Sequence, residues 1–227
     1  MIPTIIFFLL RRYKRHHPAK AERIQLIVTR AGKAFGLVIL CMVISLFSSS
    51  QEKRSVYIIY RNGSAIGSIN FSQSTSGNRT SLKLESEMKT RFIFTITSSS
   101  IEETIYDKGI MIWSSIYRKM NGNEKANKKI KASGNNYIVY SGSKSEPLDK
   151  YPIRYNMLSL YAVEPTTISH VYSDTFEEFI AIHKIADHKY KIILPDGNYN
   201  YYHYENGILC KVEINSTFYS ANIQLKK

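Results

Sequence analysis

Beyond residue 50, hydrophobic and polar residues alternate with a period of two, the signature of strands that bury one face and wet the other. Ala65, Gly67, Ile69 and Phe71 alternate with Ser68 and Asn70, and Leu82, Leu84 and Met88 with Lys83, Glu85, Glu87 and Lys89. Phe92, Phe94 and Ile96 continue the series, and Ser55 to Arg61, Ile101 to Tyr106 and Ile110 to Met120 are further β-rich runs. Turn signals stand between them: Asn62-Gly63, Asp107-Lys108-Gly109, Asn121-Gly122 and Gly134-Asn135-Asn136. Asn-Gly between two such runs marks a hairpin, because a type I′ turn needs φ > 0 at both central residues. The pattern is clearest from Lys189 to Leu225, which predicts four antiparallel strands at Tyr190 to Leu194, Tyr199 to Glu205, Ile208 to Ile214 and Phe218 to Leu225. In the third of these, Ile208, Cys210, Val212 and Ile214 fall on one face, with Lys211 and Glu213 on the other.

Helical spacing is confined to one place. Ile153, Met157, Leu160 and Tyr161 recur at that period after Pro152 and before Glu164-Pro165, predicting a short helix near residues 153–162. Ser141 to Tyr151 reads as loop, and Ser169 to Tyr172 and Phe179 to Ile185 as strands. Asn123 to Ser133, with Lys125, Lys128, Lys129 and Lys131 around Ile130, reads as a polar edge hairpin with Tyr137 to Tyr140. Its lysines would discourage edge-to-edge aggregation, or alternatively meet anionic lipid or glycan phosphate. The expected fold is all-β: an antiparallel up-and-down meander curled into a complete or incomplete barrel, with the helix plugging or flanking it. No linker or low-complexity tract divides residues 51–227, so they are expected to form a single antiparallel β domain.

Residues 1–50 read as a leader. The apolar run 35–47 has the length of a signal-peptide h-region, whereas a membrane helix needs roughly 20 such residues. Arg30 and Lys33 precede it and Ser48, Ser49 and Ser50 follow, so cleavage is expected after Ser50. Leu40 before Cys41 does not fit a lipobox, which needs a small residue there. The expected mature chain is thus exported, with no transmembrane segment. Eight of the 31 Lys+Arg and one of the 18 Asp+Glu lie in the leader, so the formal charge falls from +13 to +6 without it. That is mild, and no nucleic-acid partner is expected. Cys210 alone remains of the two cysteines, so core burial must hold the domain without an intrachain disulfide.

Candidate chemistry is sparse. Ser141-Gly142-Ser143-Lys144 matches an S-x-x-K pattern but has no K-T-G partner strand. Asp196, Asn198 and Asn200 have the spacing of a calcium loop, yet Tyr201 and Gly207 stand where its Gly and final Glu belong. His170, His183, His188 and His203 show no metal-ligand spacing. Glu102 and Glu103 are adjacent, so a strand points them to opposite faces. Cys210 reads as a small buried hydrophobe. No catalytic, cofactor or metal residue is assigned, and a non-enzymatic protein is expected. The aromatic residues are the unusual feature: Tyr199 and Tyr201 share a face with His203, Tyr202 and Tyr204 share the other, and Trp113 alternates with Met111 and Tyr117. Trp113, expected on the inner face, Tyr117, Tyr199, Tyr201, Tyr202 and Tyr204 are the candidate ligand-binding residues. Two functions follow: a carrier of a lipid or other apolar envelope molecule held inside the curved sheet, or a close-packed module meeting a protein or glycan through its Tyr and Lys surface.

Three motifs carry a family resemblance: Tyr60-Arg61-Asn62-Gly63 with Ile66-Gly67; Leu160-Tyr161-Ala162-Val163-Glu164-Pro165; and Leu194-Pro195-Asp196-Gly197-Asn198-Tyr199-Asn200-Tyr201 with Tyr204-Glu205-Asn206-Gly207. Together the chain resembles an uncharacterised family of exported β-rich proteins of Gram-negative bacteria, a domain of unknown function. The resemblance spans nearly all of residues 51–227. It implies a periplasmic or surface location and one β domain, and no activity.

Overall fold

The structure is a computed structural model that describes residues 51–91, 95–217 and 219–226. The expected leader and its cleavage site lie outside the described residues, as do Phe92, Phe94 and Phe218. Eight strands run up and down in chain order: β1 Gln51–Arg61, β2 Ser64–Ser76, β3 Arg79–Arg91, β4 Thr95–Asp107, β5 Ile110–Met120, β6 Asn123–Ser133, β7 Asn136–Ser141 and β8 Lys144–Leu148. Six more follow: β9 His170–Ser173, β10 Glu178–Ala186, β11 Lys189–Ile193, β12 Tyr199–Glu205, β13 Ile208–Asn215 and β14 Ser220–Leu225. The last strand pairs antiparallel with the first, Tyr57 opposite Leu225 and Tyr60 opposite Asn222. One 14-stranded sheet results, in the order β8 to β1, then β14 back to β9. Its inner face forms one continuous core, running from Tyr57, Leu82 and Ile130 to Val171, Tyr190 and Tyr202, so the sheet is curled upon itself. β8 and β9 are its two ends and do not pair, and the barrel stays open along that seam. The expected all-β meander is therefore present, as an incomplete barrel.

Seven of the hairpins fall into two kinds. Where both central turn residues have positive φ, as at Asn62-Gly63, Lys108-Gly109, Asn121-Gly122 and Asn206-Gly207, the following strand carries a β-bulge. The residue left over is Ile66, Ile112, Lys125 and Cys210 respectively, in each case the third after the turn glycine. Where the glycine comes first and alone has positive φ, at Gly77, Gly134 and Gly142, the register runs without a slip. A bulge adds one residue to one strand and thereby inverts which residues face inward on either side of it.

That inversion corrects two expectations from alternation. Met111 is fully buried and so is Ser114, which pairs with Thr104 on the inner face. Ile112 is the bulged residue, so Trp113, opposite Ile105, points to the outer face together with Tyr117. On β13, Leu209 is buried whereas Ile208 is 56% exposed, and Cys210 is the bulge. Val212 and Ile214 remain on the inner side.

Three further differences have local causes. The expected helix is reduced to one 3-10 turn, Met157–Tyr161: Ile153 bonds to Tyr137 and Met111 on the strands and not to the next turn, and Asn156 caps the turn by accepting from Ser159 N. The lysine-rich strand β6 is not an edge, being paired on both sides by β5 and β7. The edge is β8, where a loop is expected from sequence; its only buried residue is Leu148, so no alternation announces it.

Candidate ligand-binding cavity

The curled sheet has two unlike ends. At one end, where β2–β3, β4–β5 and β12–β13 turn, the connection 149–169 between β8 and β9 folds inward as a stopper. Ile153, Leu158 and Leu160 from it are buried in the common core. Such a segment carries backbone polar groups into an apolar interior and must find partners for them. Tyrosines supply many. The Tyr137 hydroxyl accepts from Ile153 N at 3.1 Å and donates to Met111 O at 2.9 Å, while Met111 N donates to Ile153 O at 2.8 Å. The Tyr204 hydroxyl donates to Leu160 O at 2.8 Å, and Tyr161 packs edge-on against Tyr57 with centroids 5.4 Å apart.

A buried polar cluster fixes the middle of the stopper. Tyr106 donates its hydroxyl to Asn156 Oδ1 at 2.9 Å, and the Tyr106 oxygen lies 2.8 Å from Ser159 Oγ and accepts from Asn156 N at 3.2 Å. Asn156 Nδ2 donates to Thr104 Oγ1 at 2.8 Å and to Asp174 Oδ2 at 2.9 Å, and Ser114 Oγ donates to Asp174 Oδ1. Burial pushes the Asp174 carboxyl up to about 6, against the opposing pull of the Ser114 and Asn156 hydrogen bonds. Nearer the surface, Glu164 on the stopper accepts from Tyr190 at 2.8 Å and sits 3.0 Å from His188 Nδ1. These groups hold one another in a satisfied network, the arrangement that makes a buried polar cluster structural.

Among the described residues the opposite end is hollow. A cavity of about 760 Å³ opens between the ends of β1 to β5 and those of β11 to β13. Ile66, Met88, Ile96, Met120, Leu194 and Ile214 give it apolar walls, and Tyr219 stands at its rim. Arg61 and Arg118 enter from β1 and β5, Thr90 and Ser98 from β3 and β4. Arg118 Nη2 lies 3.1 Å from Glu102 Oε1, which is deeper on β4, and Arg61 Nη1 lies 3.5 Å from Thr90 Oγ1. A volume between roughly 300 and 1,000 Å³, apolar walls and a few polar groups are the usual make-up of a small-molecule site.

None of the six candidate residues from sequence lines this cavity. Trp113 and Tyr117 face outward on β5. Tyr199 and Tyr201 also face outward, ring centroids 5.4 Å apart, with Lys191 Nζ 4.4 Å from the Tyr199 centroid and Lys189 Nζ 5.0 Å from that of Tyr201. Tyr202 and Tyr204 face inward as expected, but are buried: Tyr202 in the lumen and Tyr204 against the stopper. The cavity residues give weaker signals. Arg61 and Arg118 look in sequence like solvated strand residues, and the inward facing of Ile66 and Arg118 follows only once the bulges at Ile66 and Ile112 are known.

Fold and cavity together define a class: an antiparallel, barrel-like β domain, stoppered at one end and hollow at the other. The chain belongs to the family described as Domain of unknown function (DUF6134), whose model matches residues 57–226. The resemblance to an uncharacterised β-rich family therefore holds. Among solved structures, the chain is similar to a beta-barrel-like protein of domain of unknown function DUF1849 from Brucella abortus, with a TM-score of 0.49 and 12% identity over 77% of this chain and 95% of that one. A search of the curated proteins finds no match. Among the described residues, no helix is long and apolar enough to cross a membrane.

Proposed function

We propose that the protein is an exported, non-enzymatic carrier that holds an apolar envelope molecule in the cavity at its open end. The observation that carries this reading is the asymmetry of the interior. At the stoppered end Tyr, Asn and Ser side chains are spent on tying down residues 149–169, whereas at the other end Ile66, Met88, Ile96 and Ile214 line a cavity among the described residues. A cavity of about 760 Å³ among the described residues forgoes, for a packed core, burial and dispersion energy. A bound apolar molecule restores both. The competing surface-module reading rests on the outer Tyr and Lys residues. There the lysines already lie over the Tyr199 and Tyr201 rings, which satisfies each ring locally and leaves less of its face for a glycan.

The test uses protein purified after expression of the full chain. Native mass spectrometry followed by solvent extraction looks for a co-purifying apolar molecule, and delipidated protein is titrated with the neutral apolar dye Nile red. Binding that is lost in an Ile214→Trp variant, which fills the cavity from β13, is the expected result. Failure to bind, or binding that Ile214→Trp leaves unchanged while the far-ultraviolet circular dichroism is native, refutes the carrier.

A further inference from the structure

The cavity is apolar in its walls but not neutral. Among the described residues that line it, Arg61 and Arg118 are the charged side chains and none is Asp or Glu. An arginine stays charged at every working pH and presents five N–H donors in a planar fork. Glu102 engages Arg118 through one nitrogen, 3.1 Å away, and approaches from the stoppered side: on β4 it pairs with Ile116, whereas Arg118 pairs with Ser100, one step nearer the open end. The fork of Arg118 therefore has donors beyond those that Glu102 uses. Low-dielectric walls strengthen the attraction of such a group for an anion arriving from the open side.

We infer that the ligand is an anionic amphiphile, its carboxylate or phosphate head held at Arg118, with Arg61 adding to the positive field of the same cavity, and its hydrocarbon chain lying along Ile66, Met88, Leu194 and Ile214. This rests on the carrier reading and specifies the ligand class for the same cavity. The charge arrangement selects against the alternatives. A cationic amphiphile meets like charge, and a neutral alcohol or sterol brings no charged acceptor to the Arg118 donors beyond those that Glu102 uses. Two natural sources share the chemistry, a free fatty acid and a phosphate-headed lipid, and their head groups distinguish them.

Delipidated protein is titrated calorimetrically with palmitate, hexadecyl phosphate and hexadecanol, each below its aggregation threshold. At least tenfold tighter binding of one or both anions than of the alcohol is expected, and the better anion identifies the source. The Glu102→Gln/Arg118→Gln double variant removes the ion pair without leaving either partner unpaired, and with Arg61→Gln added it should bring all three ligands to within about threefold of one another. If hexadecanol binds as well as the anions, or if the triple variant keeps the preference, the head-group inference is wrong and the carrier survives. If none of the three binds, both readings fall.

Discussion

Asp174→Asn tests the electrostatics of the stopper and has a sign that can be worked out in advance. The wild-type carboxyl has a folded-state pKa pushed from 3.8 up to about 6, chiefly by burial. Because the folded value lies above the unfolded one, the folded chain holds this proton more tightly. The resulting stabilisation is fully present below the unfolded pKa and is lost as pH rises through about 6. A shift of about two units corresponds to about 3 kcal/mol between the two limits. The asparagine variant does not titrate, and it can keep both contacts: its oxygen can accept from Asn156 Nδ2 while its amide donates to Ser114 Oγ, since a hydroxyl can either donate or accept. Urea unfolding of both proteins at pH 4, 5, 6 and 7.5 measures the difference directly. The variant should match wild type at the acid end and exceed it by about 3 kcal/mol at pH 7.5, with other titrating groups cancelling in the comparison. A difference that is constant across this range would show that Asp174 is not desolvated and that the Asn156 network is open to water.

Three more perturbations separate the parts of the fold. Gly67→Ala should destabilise by about 1–3 kcal/mol in urea, because a Cβ there would clash with the backbone oxygen of Glu87 and force β2 away from β3. Tyr106→Phe strips a hydroxyl from the Asn156 and Ser159 contacts and should cost about 1–3 kcal/mol, whereas Tyr199→Phe on the outer face should change the urea midpoint little. Burial raises the Cys210 thiol, so iodoacetamide at pH 7.5 should alkylate it more slowly than free cysteine, and at the free rate once urea unfolds the chain.

Strand existence was legible in the sequence because alternation is a local property. The antiparallel meander followed from it, since consecutive strands joined by tight turns pair with each other. Which face each residue takes was less legible, and the reason is specific. Alternation carries Trp113 and Ile208 across bulges at Ile112 and Cys210, where the period of two is broken. The sequence held a usable signal: the turn Lys108-Gly109 and the Asn-Gly turns at 62, 121 and 206 all place a bulge three residues after the glycine, and the Gly-first turns do not. The site was hidden for a different reason. Arg61 and Arg118 matter only as neighbours of a cavity built by strands far apart in the chain, and the abundance of tyrosine pointed elsewhere because hydroxyls such as those of Tyr106, Tyr137 and Tyr204 anchor the stopper.

The position of the seam also has a physical logic. A meander that closed in chain order would leave its first and last strands as neighbours at the gap, but here β1 and β14 are paired at the centre of the sheet and the gap falls between β8 and β9. Both edges of the sheet are protected against pairing with another chain. β8 spans only Lys144–Leu148, begins with a lysine and carries Pro147, which has no N–H to offer a ladder. β9 spans only His170–Ser173, and the stopper covers it: Tyr172 N donates to Tyr155 O at 2.9 Å, and Asn156 bridges to Tyr172 in parallel. The same connection that plugs the barrel thus also caps one of its edges. Loosening the Asn156 cluster would therefore bare the β9 edge while β1, β14 and their neighbours stayed paired. In Asn156→Ala, amide hydrogen exchange should accelerate first in β9 and the stopper and leave the central strands protected near the global limit. Uniform acceleration across all strands would mean that the seam and the centre of the sheet open as one unit, and that the stopper is no separate latch.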